Sequence, residues 1–138
     1  MSARAIILTL GYTGLIPFVV PALLVATGNV HSEFAVSTAE TYALAIICFL
    51  TGSWWGIASA AGGRLAILLS NVYLVIAFLL MLLAPAWWSL AASVLLIGIF
   101  ALEKSRSLFP VHESYYRGMR ALLTFVASGS MLLIFLAR

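Results

Sequence analysis

Five long apolar stretches, Ala5–Thr27, Thr41–Ala61, Leu65–Ala84, Ala86–Leu102 and Met119–Ala137, take up most of the 138-residue chain. A helix that crosses a bilayer needs about 20 predominantly apolar residues, and about 17 is the usual lower bound. All five meet that requirement, and no charged residue falls in the interior of any of them. Only 8 % of the residues are charged, against about 25 % in an ordinary soluble domain. Such a surface cannot be wetted all round, so the excess apolar area must face lipid. The expected fold is an all-α integral membrane protein, one domain over residues 1–138 with five transmembrane helices.

The charges fix the expected orientation. With five spans the connecting segments alternate sides, which puts Arg4, Arg64, Lys104, Arg106, Arg117 and Arg120 on one side and Arg138 alone on the other. Cations are retained on the cytoplasmic side, so the N-terminus is expected in the cytoplasm and the C-terminus in the periplasm. No small-residue cleavage site closes the first apolar run, which is also too long for a signal peptide. It is therefore read as a retained span, and a bacterial inner membrane as the home.

Local signals bound the spans. Ser37-Thr38-Ala39-Glu40 has the form of a capping box opening the second helix. Gly62-Gly63 is suited to a left-handed turn closing it, and Pro85 separates the third and fourth helices. Trp87-Trp88 sit where an aromatic belt is expected, and Leu108-Phe109 and Tyr115-Tyr116, alternating with charges, suit a segment in the headgroup region.

The same inventory excludes several functions. Seven cations spread along the chain form no basic stripe for nucleic acid. One cysteine, Cys48, allows no internal disulfide or cysteine metal framework. His31 and His112 fall on opposite sides, which disfavours a two-histidine metal or haem site. Neither a nucleophile–base pair nor a phosphate loop is recognisable. No cofactor or metal is expected, and a non-enzymatic role is favoured.

Three local patterns remain. Cys48, Gly52, Gly56 and Ala60 recur every four residues and form a small-residue groove expected to pack against another helix. Gly11, Gly14, Pro17 and Pro21 predict a kink between the two prolines, because neither proline can donate to the carbonyl four residues back. Arg117 and Arg120, three apart, serve as positive-side anchors, Arg117 also pairing with Glu113 along the helix, or as a clamp for a polar headgroup.

Depth adds a further expectation. At about 1.5 Å per residue, Asn71 lies roughly 10 Å, Tyr12 and Thr13 roughly 12–13 Å, Trp54 and Trp55 roughly 11–12 Å and Thr124 roughly 6 Å from the cation-rich face. These side chains are expected to line one cavity roofed by Arg117 and Arg120. Two functions follow: an accessory or assembly component that binds another membrane protein, a second copy or lipid, or a binder of a small amphipath such as a quinone or lipid.

Three segments together resemble the transmembrane protein 69 family, also known as domain-of-unknown-function 3429: Leu10-Gly11-Tyr12-Thr13-Gly14-Leu15-Ile16-Pro17-Phe18, Phe49-Leu50-Thr51-Gly52-Ser53-Trp54-Trp55-Gly56, and Tyr115-Tyr116-Arg117-Gly118-Met119-Arg120-Ala121-Leu122-Leu123-Thr124. Trp54 stands where the family pattern Gly-x-His-Trp-Gly has histidine. The resemblance implies a small multi-span protein of bacterial or mitochondrial inner membranes with no established activity.

Overall fold

A computed structural model of the chain describes residues 2–29, 32–61, 63–105 and 114–138. His31, Gly62, Arg106, Leu108, Phe109, His112 and Glu113 lie outside them, and so do the expectations placed on them. The described residues form helices and no strand: α1 (Ala3–Thr13), α2 (Ile16–Ala26), α3 (Ser32–Ala61), α4 (Arg64–Leu83), a 3-10 turn (Pro85–Trp87), α5 (Trp88–Glu103) and α6 (Ser114–Ala137). With α1 and α2 taken together, five stretches among them are long and apolar enough to cross a membrane.

The helices alternate in direction, and two polar clusters mark the ends. At one end Arg120 of α6 pairs with Glu103 of α5. At the other, Arg138 Nη1 meets Glu40 of α3 at 3.0 Å. Ser89 Oγ, at the start of α5, donates to the same Glu40 carboxylate at 2.6 Å, and Trp88 Nε1 donates to the Glu40 carbonyl at 3.0 Å. Arg4, Arg64, Lys104, Arg117 and Arg120 all belong to the first end, here called the basic end. The sorting of cations read from the sequence thus coincides with the packing.

Several local expectations are corrected. The first span breaks at Gly14–Leu15, ahead of Pro17, and not between the prolines. Pro17 occupies the first turn of α2, where a helix needs no donor, and Pro21 is carried inside it. Ser37–Glu40 does not open the second span either, because α3 begins at Ser32. Ala35, Val36, Ala39, Ala43 and Ile47 are all buried, so that first turn and a half is held by packing against the bundle. Trp88 is buried, which leaves Trp87 alone as the belt residue. Charged groups are not absent from the spans: Glu40, Glu103 and Arg120 sit inside them, each paired. α2 ends as a Schellman turn, with Asn29 N donating to Leu24 O, Gly28 N donating to Val25 O, and Gly28 at φ +65.

α5 and α6 are joined through polar side chains. Ser93 and Ser128 are both buried, and Ser93 Oγ donates to the Ser128 carbonyl at 2.9 Å. The expected small-residue groove lies elsewhere. Gly52, Gly56 and Ala60 are exposed, and a Cβ added at either glycine would meet nothing within 4 Å. The buried stripe of α3 runs through Ala39, Ala43, Ile47, Thr51, Trp54 and Ala58. Gly52 follows Thr51 by one position, about 100° round the helix, and Gly56 follows Trp54 by two, about 200°, so both face outward, while Cys48, one past Ile47, is half-buried.

Candidate functional site

Of the residues expected in one cavity, the structure brings three together. Arg120 is 8 % and Trp54 1 % exposed. Both bond the carboxylate of Glu103: Trp54 Nε1 donates to Oε1 at 3.2 Å, while Arg120 donates to Oε2 from Nε at 3.1 Å and Nη2 at 2.6 Å. Thr124 lies one turn beyond Arg120 on α6 and is also buried. The other residues turn away. Tyr12 is 45 % and Trp55 49 % exposed, and Arg117, Thr13 and Asn71 are exposed too. The Thr13 hydroxyl donates to the carbonyls of Thr9 and Leu10, and Asn71 Nδ2 to that of Ile67 at 2.9 Å, all within their own helices. Depth along a helix fixes no direction around it. Trp54 and Trp55 are successive residues about 100° apart, so only one can face the bundle.

A cleft of about 410 Å³ lies between α1–α2, α3 and α6, with Leu96 of α5 behind it. Ile7, Leu10, Leu15, Phe18, Ile46, Leu50, Met119, Leu123 and Ala127 make its walls apolar, and Tyr42, Tyr116, Arg120 and Thr124 add polar atoms. Leu10 and Phe49 at its rim are strongly exposed, whereas Phe18, Arg120 and Thr124 are buried. The cleft therefore opens sideways, toward lipid. Along α6 it runs from Tyr116 to Ala127, roughly 16 Å at helical rise, from the basic end to the middle of the bundle. Tyr42 packs edge-on against Phe18, with centroids 5.2 Å apart, at the deep end.

The interrupted first span shapes this cleft. No residue of α1 is buried, yet Gly11 lets α1 approach α6, since a Cβ there would lie 2.9 Å from Met119 Sδ. Arg4 caps the contact, its guanidinium 4.7 Å from the centre of the Tyr115 ring. Gly11 and Gly14 thus have close neighbours where Gly52 and Gly56 have none within 4 Å.

Reading the sequence missed Glu103, Tyr42, Tyr73 and Gly98. Glu103 had a signal: it ends one span at the same membrane face where Arg120 begins the next. Tyr73 donates to the Leu95 carbonyl at 2.8 Å across the bare face of Gly98. Nothing local in the sequence pairs those two.

The family described as Protein of unknown function (DUF3429) matches residues 3–136. Transmembrane protein 69 of Xenopus tropicalis is 34 % identical over 131 residues, an alignment covering 90 % of this chain and 51 % of that protein. The chain thus spans about half the length of that curated relative. No solved structure matches the chain.

Proposed function

The chain belongs to the DUF3429 family, and on the geometry above we propose that it holds the tail of a small membrane amphipath in the lateral cleft. One observation carries this reading: an apolar slot of about 410 Å³, open to lipid, has its buried polar groups at the basic end. That volume falls in the range of small-molecule sites, which combine apolar walls with a few placed polar groups. A lipid-like molecule enters such a slot already oriented, with its head at the interface and its tail toward the bilayer centre.

Two substitutions from different helices test the reading. Ala127→Leu and Ile46→Trp each add bulk to the slot wall without touching the ion pair. Native mass spectrometry of the full chain released from mild detergent is expected to show single-chain amphipaths retained by the parent and depleted at least tenfold in both variants. Equal retention in all three would refute the proposal.

We place the protein in a bacterial inner membrane with its basic end in the cytoplasm, following the excess of cations there. Reporter fusions are expected to give a cytoplasmic Arg4 and a periplasmic Arg138. Termini on one side would overturn both the orientation and the odd number of spans. A second function, docking of another membrane protein or a second copy, is favoured by the outward Gly52–Gly56 face, where nothing lies within 4 Å and a helix could approach closely. Proteins recovered with the parent and lost from a Gly52→Leu, Gly56→Leu variant would support it.

A further inference from the structure

We infer that the cleft selects amphipaths whose head is uncharged and offers a carbonyl oxygen, over carboxylate, phosphate or ammonium heads. The inference rests on the proposed tail site and concerns only the chemistry at its basic end. Arg120 lines the cleft, but its charge is already balanced by Glu103 at 2.6 Å. Arg117, the other cation on that stretch of α6, is exposed and is not part of the lining. An anionic head has two options there. It can split the pair, leaving a half-buried carboxylate without its cation, which is unfavourable. Or it can sit against a pair with no net charge, losing its hydration for little return.

An ammonium head fares no better. Glu103 already accepts from Trp54 at Oε1 and from Arg120 at Oε2, and among the described residues no carboxylate lines the cleft. The groups that remain suit an acceptor. Arg120 spends Nε and Nη2 on Glu103, which keeps Nη1 outside the pair, and the Thr124 hydroxyl follows one turn deeper along the same wall. A neutral carbonyl accepts from such donors without disturbing the ion pair. Two chemistries share that feature, a glycerol ester and an alkylated quinone, and the experiment separates them.

The test uses the full chain in nanodiscs of zwitterionic lipid, with tritiated 1-monolauroylglycerol as probe. Unlabelled 1-monolauroylglycerol, a ten-carbon alkyl benzoquinone, laurate, dodecyl phosphate and dodecylamine compete. Displacement by the ester or the quinone at concentrations at least tenfold below the three charged chains is the expected result, and the order of the two neutral competitors identifies the head. Thr124→Val, which removes one donor, is expected to weaken the preferred neutral ligand about three- to tenfold, the range of a lost neutral hydrogen bond. In Glu103→Gln, which keeps a partner for Trp54 and unmasks the Arg120 charge, laurate is expected to gain at least tenfold on the ester. Should that variant not accumulate, the parent series decides alone. Laurate or dodecyl phosphate binding the parent as tightly as the neutral chains, with binding lost in Ala127→Leu, would overturn the head-group inference and leave the tail site standing. If no chain binds, or if binding survives in both Ala127→Leu and Ile46→Trp, the tail site falls and this inference with it.

Discussion

Replacing Arg120 with alanine is expected to destabilise the bundle by about 3 kcal/mol, the low end for a broken buried pair and still a large part of a marginal stability, because Glu103, half-buried, is then left without its cation. Glu103→Ala should do the same in mirror image, stranding the guanidinium and releasing Trp54 Nε1. The pair Glu103→Gln with Arg120→Gln should recover most of the loss, since two amides of similar volume can bond each other without a charge. Denaturation in mixed micelles, read as the fraction folded against denaturing detergent, measures all four. A single variant as stable as the parent would mean that the pair is solvated and holds nothing. The effect is large because the contact ties three helices at one point: α3 through Trp54, α5 through Glu103 and α6 through Arg120.

The second large effect is expected at Gly98. A Cβ built there would stand 2.3 Å from the Tyr73 hydroxyl oxygen, so Gly98→Ala must push the tyrosine off the Leu95 carbonyl or separate α4 from α5. Overpacking of this kind costs about 1–3 kcal/mol. Tyr73→Phe in the same chain should relieve much of it, because the atom that clashes is the one removed. Gly52→Ala and Gly56→Ala are expected to be neutral or stabilising by up to about 1 kcal/mol, the ordinary advantage of alanine inside a helix. Melting temperatures of the four variants check the contrast. If Gly52→Ala destabilises as much as Gly98→Ala, the outward placement of the α3 stripe is wrong.

These two contrasts show which part of the structure can be read from the sequence. Span number, span length and sidedness depend on hydropathy and charge along the chain, and both are explicit in the letters. The direction around each helix is not. In a soluble helix the polar face marks the outside, but lipid and core are both apolar here, so a stretch such as Leu65–Ala84 carries no mark of which side faces the bundle. Hence Trp54 and Trp55, or Thr51 and Gly52, could not be told apart by depth, although one of each pair is core and the other faces outward. Arg120 and Thr124 share a buried α6 face with Ala127 and Met131, a grouping that depth alone does not give. Asn71 misled for a simple reason: its amide bonds a carbonyl of its own helix and needs no neighbour.

The interrupted first span carries the same lesson. Two prolines announce a disturbance, and it falls at Gly14, where a Cβ would come 3.4 Å from the Tyr42 hydroxyl of α3. The break leaves α1 without a buried residue while α2 packs firmly, with Phe18, Pro21 and Ala22 in the core. That difference opens the wall of the cleft between Leu10 and Phe49. A continuous helix packed along its whole length would close it.

Photocrosslinking tests the tail site most directly. A monoacylglycerol bearing a diazirine midway along its chain, incorporated with the full protein in nanodiscs and irradiated, labels whatever its tail touches. The label is expected to concentrate on cleft residues of α1–α2, α3 and α6, such as Leu15, Ile46 and Leu123, well above the outward face of α4, where Val72, Val75 and Leu79 are more exposed to lipid. Excess unlabelled 1-monolauroylglycerol should remove the cleft signal and leave the α4 background. Labelling that simply follows exposure, with α4 at least as heavily modified as the cleft and no competition, would contradict the tail site.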